Sequence, residues 1–166
     1  MRAMNELAND VGEVVTRWWR SNVFVHATFN DISDPKNEVY EDYQVVREFE
    51  FFSAVPNSLS VSLTVYDDSF GLCLRWQSRV TCAAGFEMGS VSVTDLALLL
   101  GLVCTGRFLI EERPPLLRWA GSYAKAVLKA KDADLLKLFE PKSWIRTTDE
   151  VLPWRRATLI QTASWR

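Results

Sequence analysis

The sequence predicts an α+β fold: an N-terminal helix, an antiparallel sheet of about four to five strands, and C-terminal helices packed on one face of that sheet. Three observations carry the prediction. Apolar residues recur at helical spacing over residues 4–20, strict two-residue alternation occupies 59–65 and resumes at Leu72, and the period lengthens again after Gly85 and Gly89. The chain has 166 residues, 48% of them hydrophobic, which is enough to bury a sizeable core. The expected organisation is one α+β domain over residues 1–140, followed by a basic, Trp-rich tail at 141–166 that packs on the same domain.

In the first element Leu7, Val11, Val14 and Trp18 are spaced by four, three and four residues, so they share one helix face. Glu6, Asp10, Glu13, Arg17 and Arg20 fall elsewhere on the wheel, and Trp19 lies about 100° from Trp18, free to cover a sheet edge or meet a partner. Val23 to Phe29 reads as a short strand, and Asn30 to Asn37, with Asp34-Pro35, as a loop. Tyr43, Val45, Phe49 and Phe51 alternate with Gln44, Glu48 and Glu50, which predicts a second strand. Leu59 to Val65 alternates apolar and hydroxyl residues without exception, as expected of a strand with one buried and one wet face. Asp67 to Gly71 reads as a turn. Beyond it Leu72, Leu74, Trp76 and Val80 point one way while Arg75, Gln77 and Arg79 point the other, so the two runs form a hairpin.

If the strands pair in sequence order, the outer sheet face carries Glu48 and Glu50, then Ser60, Ser62 and Thr64, then Arg75, Gln77 and Arg79. Ser92 or Thr94 can cap a buried helix over Asp95 to Cys104, which Gly106 stops. Pro114-Pro115 opens a further helix whose apolar stripe is Leu116, Trp119, Tyr123, Val127 and Ala130, with a short helix through Leu135 to Phe139 beyond it. In the tail, Pro153 breaks any long element, and a final strand fits Ala157 to Ala163.

Composition narrows the function classes. The formal charge is −2, so no global basic field draws the chain to nucleic acid or membrane. Charge is unevenly spread, however. Between Asn30 and Asp68 nine acids face two bases, a net of −7, whereas Pro141 to Arg166 holds five bases against two acids. This asymmetry points to a protein partner with a basic surface, or to a tail folded onto the acidic face. Three cysteines in apolar contexts, Cys73, Cys82 and Cys104, fit reduced, buried thiols. The N-terminal residues lack the apolar stretch of a secretory leader, and the longest apolar run, Leu96 to Cys104, is too short to span a bilayer. A cytoplasmic, soluble protein is expected.

Catalytic equipment is sparse. The single histidine, His26, sits in a strand-like segment, no Gly-x-Ser-x-Gly elbow occurs, and the cysteine spacing matches no zinc site. Gly85 to Ser90 precedes a helix but lacks the lysine of a phosphate loop. Paired carboxylates at Glu48/Glu50 and Glu111/Glu112 leave a metal-dependent nuclease or glycosidase-like enzyme as an alternative reading. No cofactor is expected.

The seven tryptophans each lie within two positions of an arginine. Trp and Arg dominate binding hot spots, but Trp18, Trp76 and Trp119 fall on faces predicted to be buried. Trp144, Trp154 and Trp165, with Arg155 and Arg156, are the aromatic candidates for a partner or for a clamp holding the tail. Single-stranded nucleic acid is a further alternative for this basic, aromatic tail, disfavoured by the acidic half. The reading that follows is a non-catalytic protein-binding protein that neutralises or chaperones its partner, with a toxin-neutralising, immunity-type role in keeping with an acidic surface. Its candidate contacts are Glu38, Glu41, Asp42, Glu48 and Glu50, together with Trp144, Trp154, Arg155, Arg156 and Trp165.

Overall fold

A computed structural model describes residues 2–32, 45–66, 69–87, 93–113, 123–133, 146–148 and 158–166. The elements run α1 (Arg2–Arg20), β1 (Ala27–Ile32), β2 (Val45–Ser53), β3 (Leu59–Tyr66), β4 (Ser69–Trp76), β5 (Arg79–Glu87), α2 (Val93–Cys104), β6 (Phe108–Arg113), β7 (Tyr123–Leu128), α3 (Ala130–Ala133), β8 (Arg146–Thr147) and β9 (Thr158–Gln161). Strands β1 to β5 form a five-stranded antiparallel sheet in sequence order, and a second sheet has the order β8-β7-β6-β9. The mixed helix and strand content and the antiparallel sheet agree with the sequence reading.

The two-residue period puts Phe49 and Phe51 of β2, Leu59, Val61, Leu63 and Val65 of β3, and Phe70, Leu72, Leu74 and Trp76 of β4 on one buried face. Val11 and Val15 of α1 and Leu96, Leu99, Leu100 and Val103 of α2 close over that face, and Phe108, Ile110, Ala126 and Leu128 of the second sheet join the same core. In α1 the buried pair is Val11 and Val15, with Val14 only half-buried, so the helix is rotated slightly from the face expected. The side chain of Leu7 lies outside the described residues. Trp18 and Trp19 extend the core into an aromatic cluster. Trp19 packs 5.1 Å from Phe24 and 5.5 Å from Phe29, so it covers the β1 edge.

Beyond α2, the expected C-terminal helices are not borne out among the described residues. Tyr123–Leu128 is strand β7, hydrogen-bonded antiparallel to β6 from Phe108↔Leu128 to Arg113↔Tyr123. Ala126, Val127 and Leu128 are all buried, so the end of this strand is covered on both faces and lacks the alternation that would have announced it. Pairing with β6 overrides the local helical spacing, and within the described residues only the single turn of α3 is helical beyond β7. The segments 114–122 and 134–145, which include Trp119 and the short helix expected near Leu135, lie outside the described residues.

Two strand boundaries also shift. β1 begins at Ala27 and runs on to Ile32, leaving Val23 and Val25 exposed ahead of it. The run from Leu72 to Val80 is two strands. Gln77 and Ser78, with φ of 49° and 64°, form a two-residue hairpin loop in the left-handed region. Because neither residue is Gly or Asn, the turn carries no sequence signal. Val80 is therefore exposed instead of inward-facing, and of Arg75, Gln77 and Arg79 only Arg75 keeps its place on the β4 outer face.

The end of α2 behaves as expected and anchors the tail. Gly106 adopts φ +67°, its N–H bonds Val103 O at 3.0 Å, and Arg107 N bonds Leu102 O at 3.0 Å, the Schellman pattern. The tail lies directly on this turn. Thr162 N donates to Phe108 O, Ala163 N to Asn57 O, and Trp165 N to Cys104 O, all within 3.2 Å. A Cβ added at Gly106 would sit 2.7 Å from Thr162 O and 2.9 Å from the Ala163 carbonyl carbon. Gly106→Ala should therefore cost more than the roughly 1 kcal/mol of a simple left-handed penalty, measured by chemical denaturation, since it must also shift the tail backbone.

Candidate protein-binding surface

The outer face of the five-stranded sheet is set by the parity that buries the inner one. Register places Asn30, Glu50, Ser62, Cys73 and Ala83 in one row across it, and Ile32, Glu48, Thr64 and Gly71 in the next. Glu48 and Glu50 are thus brought together on one face of β2, about 7 Å apart along the strand, and both are half-buried. Asn30 Nδ2 donates to Glu50 Oε2 at 3.4 Å. Ser60, Ser62 and Thr64 form the hydroxyl stripe beside them. Gly71 and Ala83 leave a shallow depression of about 400 Å³, lined also by Ser62, Thr64, Tyr66 and Cys73. Arg75, Phe52 and Val80 are exposed at its border.

This surface offers polar contacts over a broad, shallow area. Among the described residues no group of three or more His, Cys, Asp or Glu gathers where a metal could be held. His26 is exposed ahead of β1, its carbonyl accepting Ala54 N at 2.7 Å.

The remaining candidates separate. Glu38, Glu41, Asp42, Trp144, Trp154, Arg155 and Arg156 lie outside the described residues. Trp165 is fully buried and presents no surface. Its indole Nε1 donates to Leu59 O at 2.8 Å and its ring meets Trp18, Phe24 and Phe51 at 5.5–6.5 Å. This indole clamps its segment onto the domain. Arg79 instead reaches Glu112 of β6 at 3.7 Å, and Glu111, fully buried, is paired with Arg113 two residues on. That carboxylate is part of the second sheet's interior.

Comparison with known proteins gives no match: no family model, curated protein or solved structure shows significant similarity to the chain.

Sequence reasoning missed Arg47. It lies on the Phe49 side of β2, donates Nε and Nη2 to the two oxygens of Asp31 at 2.9 and 2.6 Å, and stacks 4.9 Å from the Phe49 ring centre. The hydrogen bond to Asp31 raises its pKa, outweighing its partial burial. Asp31, counted from sequence among the acids of a partner surface, is thus neutralised within the fold.

All three cysteines are free thiols. Burial pushes Cys82 up to about 12, with the neighbouring Cys73 adding to the rise. A thiol whose pKa is raised in the folded state supports stability below its unfolded value, and that support is lost as pH climbs through the folded value. The thermal midpoint is therefore expected to fall between pH 9.0 and about 12, and less steeply in Cys82→Ala. Equal slopes in the two proteins would show that Cys82 is not responsible.

Proposed function

We propose that this is a non-catalytic protein-binding protein, which engages a partner with a basic surface through the outer face of the five-stranded sheet. The observation that carries the reading is the joint projection of Glu48 and Glu50 from β2, beside the Ser/Thr stripe, on the side opposite the helices. A flat face with paired carboxylates suits steering and register with a cationic partner. A neutralising role of the immunity type, or that of a dedicated chaperone, fits this surface, because either needs only to cover the partner. The net charge of −7 over Asn30–Asp68 adds long-range attraction of the same sign.

Charge reversal tests it. With the partner recovered from the cells that produce the protein, the Glu48→Lys/Glu50→Lys variant should bind at least about tenfold more weakly, mainly through a slower on-rate, and wild-type association should slow with added salt. Unchanged affinity in the double variant, with its fold intact by circular dichroism, would remove the outer face from the interface. Metal-dependent turnover abolished by Glu48→Ala or Glu50→Ala would replace the proposal with an enzyme.

A further inference from the structure

On the helical side of the sheet, away from the surface above, α1 and β2 enclose an open groove of about 670 Å³. Its lining includes Gly12, Glu13, Thr16, Arg17 and Arg20 of the helix and Arg47 of the strand. The helical residues recur at three- and four-residue spacing, so they form one stripe on the face turned away from Val11 and Val15. Three arginines, Arg17, Arg20 and Arg47, line it, against Glu13 and the Asp31 that Arg47 already holds.

Arg47 is the fixed element of this groove. Asp31 takes its Nε and Nη2, Phe49 lies under its plane, and Gly12 makes room for it: a Cβ at Gly12 would fall 2.5 Å from Nη1 and 2.9 Å from the guanidinium carbon. A glycine inside a helix is unfavourable relative to alanine, and here it lets a guanidinium lie against the helix backbone. Nη1 is the edge left over, with no partner among the described residues, and it lies beside Gly12, which like Arg47 lines the groove. Arg20 also has no partner among the described residues. Arg17 meets Glu13 at 3.6 Å with both side chains about three-quarters exposed, a pairing weak enough to yield to a ligand. Two of the helix carbonyls that would repel an anion at this end are occupied by side chains: Ser21 Oγ donates to Arg17 O at 2.8 Å and Asn22 Nδ2 to Trp18 O at 2.7 Å.

One guanidinium held rigid beside two adaptable ones matches a tetrahedral oxyanion better than a carboxylate. A single fork satisfies a carboxylate, as Asp31 shows, whereas three separated donors suit three oxygens. The volume exceeds what an inorganic ion fills and falls in the range of small-molecule sites. We infer that the α1–β2 groove binds a small phosphate ester, with Arg47 as the preorganised contact and Arg17 and Arg20 closing on the phosphoryl oxygens.

The test is calorimetric titration of the intact protein at low salt with adenosine 5′-monophosphate, inorganic phosphate and acetate. Saturable binding of the ester is expected, with inorganic phosphate weaker and acetate weakest. Arg17→Ala/Arg20→Ala, altering exposed side chains only, should weaken the ester at least about tenfold. Gly12→Ala keeps every charge but displaces Arg47, and should weaken it about as much while leaving the helix content unchanged. Absence of saturable binding by wild type, equal binding of acetate, or unchanged affinity in the double arginine variant would overturn the assignment. Stronger binding of inorganic phosphate than of the ester would overturn the ester in favour of the free ion. None of these outcomes depends on the acidic face of the sheet.

Discussion

Trp165→Ala is expected to destabilise the protein by about 3–5 kcal/mol, the range for removing a fully buried aromatic side chain. The indole has no exposed surface, its N–H is bonded to Leu59 O, and its ring joins Trp18 and Phe24 to Phe51. Losing it would open a cavity at the meeting point of α1, β2 and β3 and leave the Leu59 carbonyl without its indole donor. Trp165→Phe keeps ring packing and removes the N–H, so its cost should be smaller, with about 1 kcal/mol of it from the lost bond. Urea unfolding followed by far-UV circular dichroism measures both. A cost below about 1 kcal/mol for Trp165→Ala would mean that the segment after β9 is not clamped as described.

Trp76→Ala should cost about as much, about 3–5 kcal/mol, because Trp76 ends β4 with only 2% of its surface exposed. Its environment differs from that of Trp165 in one respect. The Trp76 Nε1 is buried with no hydrogen-bond partner among the described residues, and an unsatisfied buried donor costs about 1–3 kcal/mol. Trp76→Phe removes that donor along with part of the ring, so its net cost should be far below that of the alanine variant. If Trp76→Ala cost under about 1 kcal/mol, the inward assignment of β4, and with it the Ser60/Ser62/Thr64 outer stripe, would be wrong.

How legible each element was depends on whether its burial is one-sided. β3 and β4 each have one fully buried apolar face and one largely polar, mostly half-exposed face, so their alternation was visible, and the hairpin register followed. α1 was visible for the same reason at helical spacing. The second sheet was not. Its β6 carries Phe108, Leu109 and Ile110 followed by a fully buried glutamate paired with Arg113, and β7 is buried on both faces over its last three residues, so neither strand shows a clear two-residue rhythm. The Gln77-Ser78 turn was hidden because positive φ is held there by two residues that seldom adopt it.

The functional surfaces divide along the same line. The pairing of Glu48 with Glu50 on the outer face follows from strand parity alone. The groove at Arg47 could not be read, since it exists only where a helix glycine and a strand arginine meet. Gly12 inside an otherwise regular amphipathic helix was the one available signal, and it marks a close approach. The Trp–Arg adjacency of the sequence proved uneven. Trp76 and Trp165 are core residues, and Trp18 and Trp19 belong to the aromatic cluster against it.

The most direct test of the proposed function is site-specific photo-crosslinking in the cells that produce the protein, with the crosslinking side chain at Thr64 on the outer sheet face or at Thr16 on α1. One basic protein is expected to be captured from Thr64 and not from Thr16, and to be lost when Glu48→Lys/Glu50→Lys is combined with the Thr64 probe. Capture of that protein from Thr16 instead, or capture from Thr64 that survives the charge reversal, would contradict it.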